Sequence, residues 1–361
     1  MRDAILRLNF SMENCRGQCY DGAANMSGAR KGVASQLLSQ ESRAIYTHCY
    51  GHALNLAVAN TIKQSVVCRD SLDVAFEITR LIKFSPKRSA ALDAIKAVHQ
   101  DASDSAPSAA GIRLFCSTRW TVRGDAIASI IDNYESLNEL WDSCLHGSER
   151  LDPDMKARII GVQAQMTSFN LLFGLKLCET VLKITDNLSR ALQKSSLSAS
   201  EGQHIASLTT ATLSGLRTDT SFELFFASVE TLRAKLGVDA AVLPRKRKRP
   251  QRYDDGDGHH YAASVEDHFR QLYFEAIDFA VSTIKDCFDQ PGHVVYRRLE
   301  TVLVNGAAGV PYDSELQPVL QLYTELSECN LKTQLTNLET HFREADVKPD
   351  LRDCQELLNH A

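Results

Sequence analysis

Three short blocks carry the residue types that do chemistry. The first is Cys19-Tyr20-Asp21-Gly22-Ala23-Ala24-Asn25-Met26-Ser27-Gly28, where an Asp follows a β-prone stretch and leads into a Gly-containing turn. A carboxylate so placed stands at a sheet edge, where it can ligate a divalent cation. Two-metal phosphoryl chemistry needs several converging carboxylates, so Asp21 is a metal ligand only if partners are supplied. Taken alone, Asp21 reads as a turn or cap residue. The second block is His48-Cys49-Tyr50-Gly51-His52-Ala53-Leu54-Asn55-Leu56. Cys49 and His52 have half the spacing of a zinc site, but with Cys15 and Cys19 upstream the whole is not a standard zinc pattern. A small thiol and an imidazole packed at a helix start is the plainer reading. The third block, Leu114-Phe115-Cys116-Ser117-Thr118-Arg119-Trp120, sets a guanidinium beside an indole. Arg119 can grip a phosphate in two places while Trp120 stacks a base. Alone, Trp120 reads as a buried anchor.

A fourth feature is electrostatic. Arg245, Lys246, Arg247, Lys248, Arg249 and Arg252 crowd between Pro244 and Arg252. Such a run serves nuclear localisation or phosphate contact, or is a solvated linker balanced by Asp254, Asp255 and Asp257. His259 and His260 beside it read as surface residues. Other schemes fail: Cys19 has no paired base, and neither a phosphate-binding Gly loop with Lys-Ser/Thr nor a dinucleotide fingerprint is present.

The elements that must position these blocks change character along the chain. Asn14 to Tyr20 and Ile45-Tyr46-Thr47 are β-prone, and helices at about 31–39 and 52–63 would alternate with them. From about residue 71 the apolar spacing is helical. Val74, Ala75, Ile78, Leu81 and Ile82 share a face, as do Ile127, Ile130, Ile131, Tyr134, Trp141, Cys144 and Leu145. The series Phe269, Leu272, Tyr273, Ala276, Ile277, Ala280, Val281, Ile284 and Phe288 is the longest. Ser198 with Glu201 and Ser264 with Asp267 have helix-start spacing.

Composition narrows the class. Of 361 residues, 44% are hydrophobic and 24% charged, which fits a globular chain. The net charge of −5 excludes a global electrostatic case for nucleic acid, so DNA would be met through local basic patches. No apolar run reaches membrane-spanning length, and charged residues interrupt the first fifteen positions, against a signal peptide. Ten scattered cysteines read as reduced thiols in an intracellular compartment.

In order and spacing, the Asp-Gly-Ala-x-Asn-Met, Cys-x2-His-x-Leu-Asn-Leu and Ser/Thr-Arg-Trp blocks resemble the hAT family of transposases. Cys15-Arg16-Gly17-Gln18-Cys19-Tyr20-Asp21-Gly22, Ser85-Pro86-Lys87-Arg88, Phe173-Gly174-Leu175-Lys176 and Leu188-Ser189-Arg190-Ala191-Leu192-Gln193 look like the zinc finger MYM-type protein 1-like group within it. The likeness runs from about residue 4 to about 342. It implies a mainly α chain with a partial RNase H-like α/β core over 1–63 and a large all-helical insertion domain over 64–342. A mobile loop at 101–111 and a basic linker at 244–258 fall inside the insertion, and a polar tail occupies 343–361.

The family's site uses two Asp and one Glu with Mg²⁺ or Mn²⁺. Asp21 matches the second carboxylate; the first Asp is expected upstream of this chain and the Glu beyond it, since neither Glu339 nor Glu344 has the right context. Mg or Mn is therefore expected for an intact family member and no cofactor on the isolated chain. By the same resemblance His52 faces DNA or orients the site, Cys49 packs, and Arg119 and Trp120 handle bases flanking the cleavage point. The function expected is nuclear DNA binding without independent catalysis. A protein-interaction scaffold working through helical surfaces, or a fragment of an active transposase, are the alternatives.

Overall fold

The computed structural model describes residues 7–54, 56, 64–101, 111–114, 123–147, 151–193, 198–244 and 263–360. A 3-10 turn at Met12–Asn14 precedes strand β1 (Gly17–Tyr20). Helices α1 (Ala24–Ser27) and α2 (Val33–Leu38) lead to strand β2 (Ile45–His48), and residues 50–54 open helix α3. Among the described residues only helices follow. They are α4 (Val66–Lys83), α5 (Pro86–Asp101), α6 (Arg123–Asp132), α7 (Tyr134–His146), α8 (Pro153–Met166), α9 (Phe169–Leu192), α10 (Ala199–Gly215), α11 (Asp219–Leu236), α12 (Val265–Phe288), α13 (Pro291–Ala307), α14 (Asp313–Leu322), α15 (Glu328–Ala345) and α16 (Leu351–His360). The protein is mainly helical, and no described helix is long and apolar enough to cross a membrane.

Two compact units divide the chain. One comprises Met1–Ala57, Leu188–Leu208 and Ile284–Ala361; the other comprises Val58–Asn187 and Thr209–Thr283. This grouping differs from the linear boundaries read from sequence, because residues 284–342 and the tail gather with the α/β segment. The tail also differs in kind. Leu351, Cys354 and Leu357 recur at helical spacing along α16, and Cys354 is fully buried against α13 and α15 side chains.

In the first unit β1 and β2 pair in parallel, with Gly17 opposite Ile45 and Tyr20 opposite His48. Two strands alone are marginal in water, so this pair must be covered. Alternating side chains make the two faces distinct. On one, the Gln18 amide donates to the carbonyls of Ala34 in α2 (3.2 Å) and of Ala44 (2.8 Å). On the other lies α13. A Cβ at Gly292 would collide with the Tyr46 carbonyl and Thr47 Cγ2, and one at Gly17 would collide with the Tyr296 hydroxyl. These glycines let the helix start rest on the strand backbone. Beyond the sheet, Val302, Ala307, Leu316, Leu335, Leu338 and Phe342 form the helical core.

Among the described residues of the second unit, helices are the only regular elements. Ala75, Ile78, Leu81 and Ile82 are buried as the α4 periodicity requires. Phe169, Phe173, Phe222, Phe225, Phe226, Phe269 and Tyr273 interlock through tilted and edge-on ring contacts. The apolar stripe from Ile127 to Leu145 is split into two helices at Asn133, whose buried amide donates to the Ser129 carbonyl at 2.6 Å. Both expected helix starts form. In the first unit Ser198 and Glu201 exchange reciprocal bonds at 3.0 and 3.1 Å, and in the second Ser264 Oγ accepts the Asp267 N–H at 3.0 Å.

Two glycine substitutions separate packing from propensity. Gly292→Ala should destabilise the protein by about 1–3 kcal/mol, because the added carbon meets fixed backbone. Gly161→Ala, in the middle of α8 with open space around it, should stabilise by about 0.5–1 kcal/mol. Urea titration of both variants reads the difference in sign.

Candidate functional site

Parallel pairing brings the carboxyl ends of β1 and β2 to one edge, and open α/β sheets bind ligands beyond such ends. The ladder continues one step past the strands: the Cys49 N–H donates to the Tyr20 carbonyl at 3.0 Å. Asp21 leaves this edge exposed, its Oδ1 accepting the Ala23 N–H at 3.4 Å. That loose bond is the turn role its sequence context suggested. Gly22 follows because the turn crosses directly over an imidazole. A Cβ at Gly22 would lie 2.5 Å from His48 Cε1 and 2.7 Å from its Nε2.

His48 ends β2, and His52 sits one helical turn later in α3. Their ring centroids are 5.5 Å apart. Burial holds the His48 imidazolium down, the neighbouring His52 adds to this, and Asp21 opposes it. His48 Nε2 is buried without a hydrogen-bond partner among the described residues, while its backbone N–H donates to Gln290 Oε1 at 3.4 Å. Behind it stands His293, in the first turn of α13. Its ring stacks on Tyr50 at 3.8 Å and 10°, and Tyr50 stacks on Phe288 at 5.0 Å. His293 Nε2 is likewise buried and unpartnered among the described residues. Burial depresses His293 to about 4, outweighing its hydrogen bond with the His48 backbone. Burial also pushes the Tyr50 hydroxyl up to about 12.

Chemically, this edge offers imidazole nitrogens free to accept or donate a hydrogen bond, one exposed carboxylate and the stacked rings of Tyr20 and Tyr46. It does not fit a divalent metal. Among the described residues no three His, Cys, Asp or Glu side chains converge as a ligand set, and the neighbour that feels the Asp21 charge is the His48 imidazole. Cys49 differs from its expected role: its side chain is exposed, and the residue is held through its backbone.

Arg119, Trp120, Arg245, Lys246, Arg247, Lys248, Arg249 and Arg252 lie outside the described residues, as does most of the loop expected at 101–111. Of the expected site residues, the fold brings Asp21, Cys49 and His52 to one edge. Sequence reasoning passed over His48, Gln290 and His293. His48 lies inside the same block as His52 and was legible there. Gln290 and His293 are more than 240 positions away and carry no local signal. Arg30 and Lys31, just beyond the Asp21 turn, are exposed cations with no ion pair among the described residues.

The chain is similar to the 52 kDa repressor of the inhibitor of the protein kinase from Mus musculus. The two are 25% identical over 289 residues, covering 78% of this chain and 37% of that protein. The Homo sapiens protein of the same name is 24% identical over 288 residues, covering 78% and 36%. The chain thus spans little more than a third of the length of these relatives. No protein-family model and no solved structure matches it.

The buried His293 makes stability pH-dependent. Its folded value of about 4 lies below the ordinary 6.5, so the unfolded chain takes up a proton that the folded chain refuses. Stability should be full above about pH 6.5, fall as pH drops toward about 4, and level off below it. The full loss is about 3 kcal/mol from this group. Urea titrations across that range should show the slope in the wild type and a shallower one in His293→Phe.

Proposed function

We propose that this chain is a transposase-derived DNA-binding protein of the hAT type, nuclear, and without catalytic activity of its own. On this reading the first unit holds a partial RNase H-like core, and the helices of the second unit belong to the family's insertion. One observation carries the proposal. Asp21 and the Cys49-x2-His52 motif, 28 positions apart in sequence, leave the same edge of a parallel strand pair, which is the arrangement the family resemblance requires. The repressor named in the two relatives fits a transposase fold turned to regulation, at the level of distant similarity.

Contact with DNA would be local. The site histidines are held toward the neutral form by burial at His48 and His293, so phosphate attraction must come from arginine and lysine. Arg30, Lys31, Arg119 and the Arg245–Arg249 run are the candidates, with Trp120 stacking an unpaired base. A second reading is a protein-interaction scaffold that does not touch DNA. The relatives' name, which describes an effect on another protein's inhibitor, favours keeping it. A third is that the chain is part of a longer, active Mg-dependent transposase.

Fluorescence anisotropy with DNA bearing unpaired ends separates these readings. DNA binding through cations should weaken about tenfold or more between about 50 and 200 mM salt. Trp120→Ala should weaken binding to unpaired ends by about 1–3 kcal/mol while leaving intact duplex little changed. No binding at low salt would leave the scaffold reading. Metal-dependent nicking that disappears in Asp21→Asn would establish the third reading and overturn the claim of no catalysis.

A further inference from the structure

Between α15 and α16 the first unit carries a short loop, Asp346 to Asp350, that belongs to neither helix. Helix α15 stops where Asp346 turns left-handed, at φ 54° and ψ 38°, and the Val347 N–H donates to the Phe342 carbonyl at 3.2 Å. Helix α16 starts at Asp350, whose Oδ1 accepts the Asp353 N–H at 2.7 Å. Val347, Lys348 and Pro349 run between these two fixed points, in neither helix nor strand. The Pro349 ring crowds the residue before it, which steers Lys348 to extended backbone.

The loop also sorts its side chains. Pro349 is buried and anchors it, while Val347, Lys348 and Asp350 are exposed. Val347 stands 50% exposed, and Lys348 is in no ion pair among the described residues. One exposed valine means little by itself. Its place matters here, because an apolar side chain, an ammonium and, two positions on, a carboxylate are presented in a row. No other lysine of the chain has a carboxylate two positions after it. The combination is a property of this loop and not of a generally charged surface.

We propose that Lys348 is an acceptor site for the small ubiquitin-like modifier, whose conjugating enzyme reads an apolar residue, a lysine and an acidic residue in this register. Val347 meets the apolar surface beside that enzyme's cysteine, and Asp350 meets its cationic groups. The extended backbone lets Lys348 Nζ reach the thioester between them. A helix would draw the same residues together to about 1.5 Å per residue, against about 3.3 Å when extended, and occupy their peptide groups. The modifier arrives with its C-terminal carbonyl bound to the cysteine sulfur, a thioester made beforehand at the expense of ATP. Lys348 Nζ loses a proton and attacks the thioester carbonyl carbon; the C–N bond forms and the C–S bond breaks. Of the two protons the ammonium gives up, one goes to the departing thiolate and one to solvent. The product is an isopeptide bond, and no oxidant or reductant takes part.

The test mixes the whole chain with the activating and conjugating enzymes, the modifier and ATP, with no ligase added. A peptide substrate of the same enzymes runs in parallel as a control, and adducts are followed on denaturing gels. The expected result is one adduct whose branched peptide carries the modifier on Lys348. Lys348→Arg should abolish it. Asp350→Asn keeps the helix cap, because asparagine caps as well as aspartate, but removes the charge. Its conjugation rate should fall about tenfold, the size of one lost contact to a charged group. Val347→Ser, at an exposed position, should slow conjugation while leaving the urea midpoint unchanged. The proposal is overturned if the control is modified and the chain is not, or if the branched peptide maps only to other lysines. It is also overturned if Asp350→Asn and Val347→Ser are both modified as fast as the wild type. The first two readouts come from the wild-type chain, so a folding defect in a variant cannot obscure them.

Discussion

The first unit depends on how closely α13 can approach a strand backbone. Two short parallel strands bury too little to persist alone, and the helix that covers them must come nearly to van der Waals contact with their peptide groups. Gly292 permits this at β2 and Gly17 permits it for Tyr296 at β1; a methyl group at either position would occupy space already filled. The residues that lead into the two strands are tied separately to the segment after α14. The Tyr323 hydroxyl donates to the Arg16 carbonyl, and Glu325 accepts from Arg16 at 2.5 Å and Arg43 at 3.0 Å. These ion pairs are partly exposed and contribute modestly, so close packing rather than charge holds the sheet in place.

The same seat shapes the candidate site. By bringing its first turn against β2, α13 inserts His293 behind His48 and places Gln290 on the His48 N–H. The edge where Asp21 and His52 emerge is therefore backed by stacked, uncharged rings rather than by cations. That arrangement suits hydrogen bonding and stacking, and it leaves attraction for a polyanion to arginines and lysines elsewhere. Among the described residues Asp21 has no metal-ligand set around it, and burial disfavours the charged form of the neighbouring His48 imidazole.

The second unit follows another logic. Its described residues are helices locked by aromatic contacts around Phe173 and Phe269, together with Trp141, whose indole N–H points to Met166 Sδ at 3.2 Å. A glycine again sets the closest approach, at Gly174, where an added Cβ would meet Ser71 Oγ and the Val67 carbonyl. In both units, then, a residue with no side chain decides which side chains meet.

The sequence by itself determined what is local. Helices appear where apolar residues recur every three or four positions, Ser198 and Ser264 cap where Glu201 and Asp267 follow at three, and the β-prone runs Asn14–Tyr20 and Ile45–Thr47 hold the strands Gly17–Tyr20 and Ile45–His48. Each such signal acts over fewer than about five residues, a range within which the chain's own geometry sets the contacts. Periodicity shows that a face is buried but not what buries it. It could not mark Asn133 as a break in an otherwise continuous stripe, or turn the apparent tail at 343–361 into a helix with Cys354 in the core. Only tertiary structure decided that Pro291–Ala307 covers the sheet, that His293 backs His48, and that the Cys178 thiol meets the Cys68 carbonyl. Those pairings span 110 to more than 240 positions. They are selected by the fit of whole surfaces, for which no single residue carries a signal.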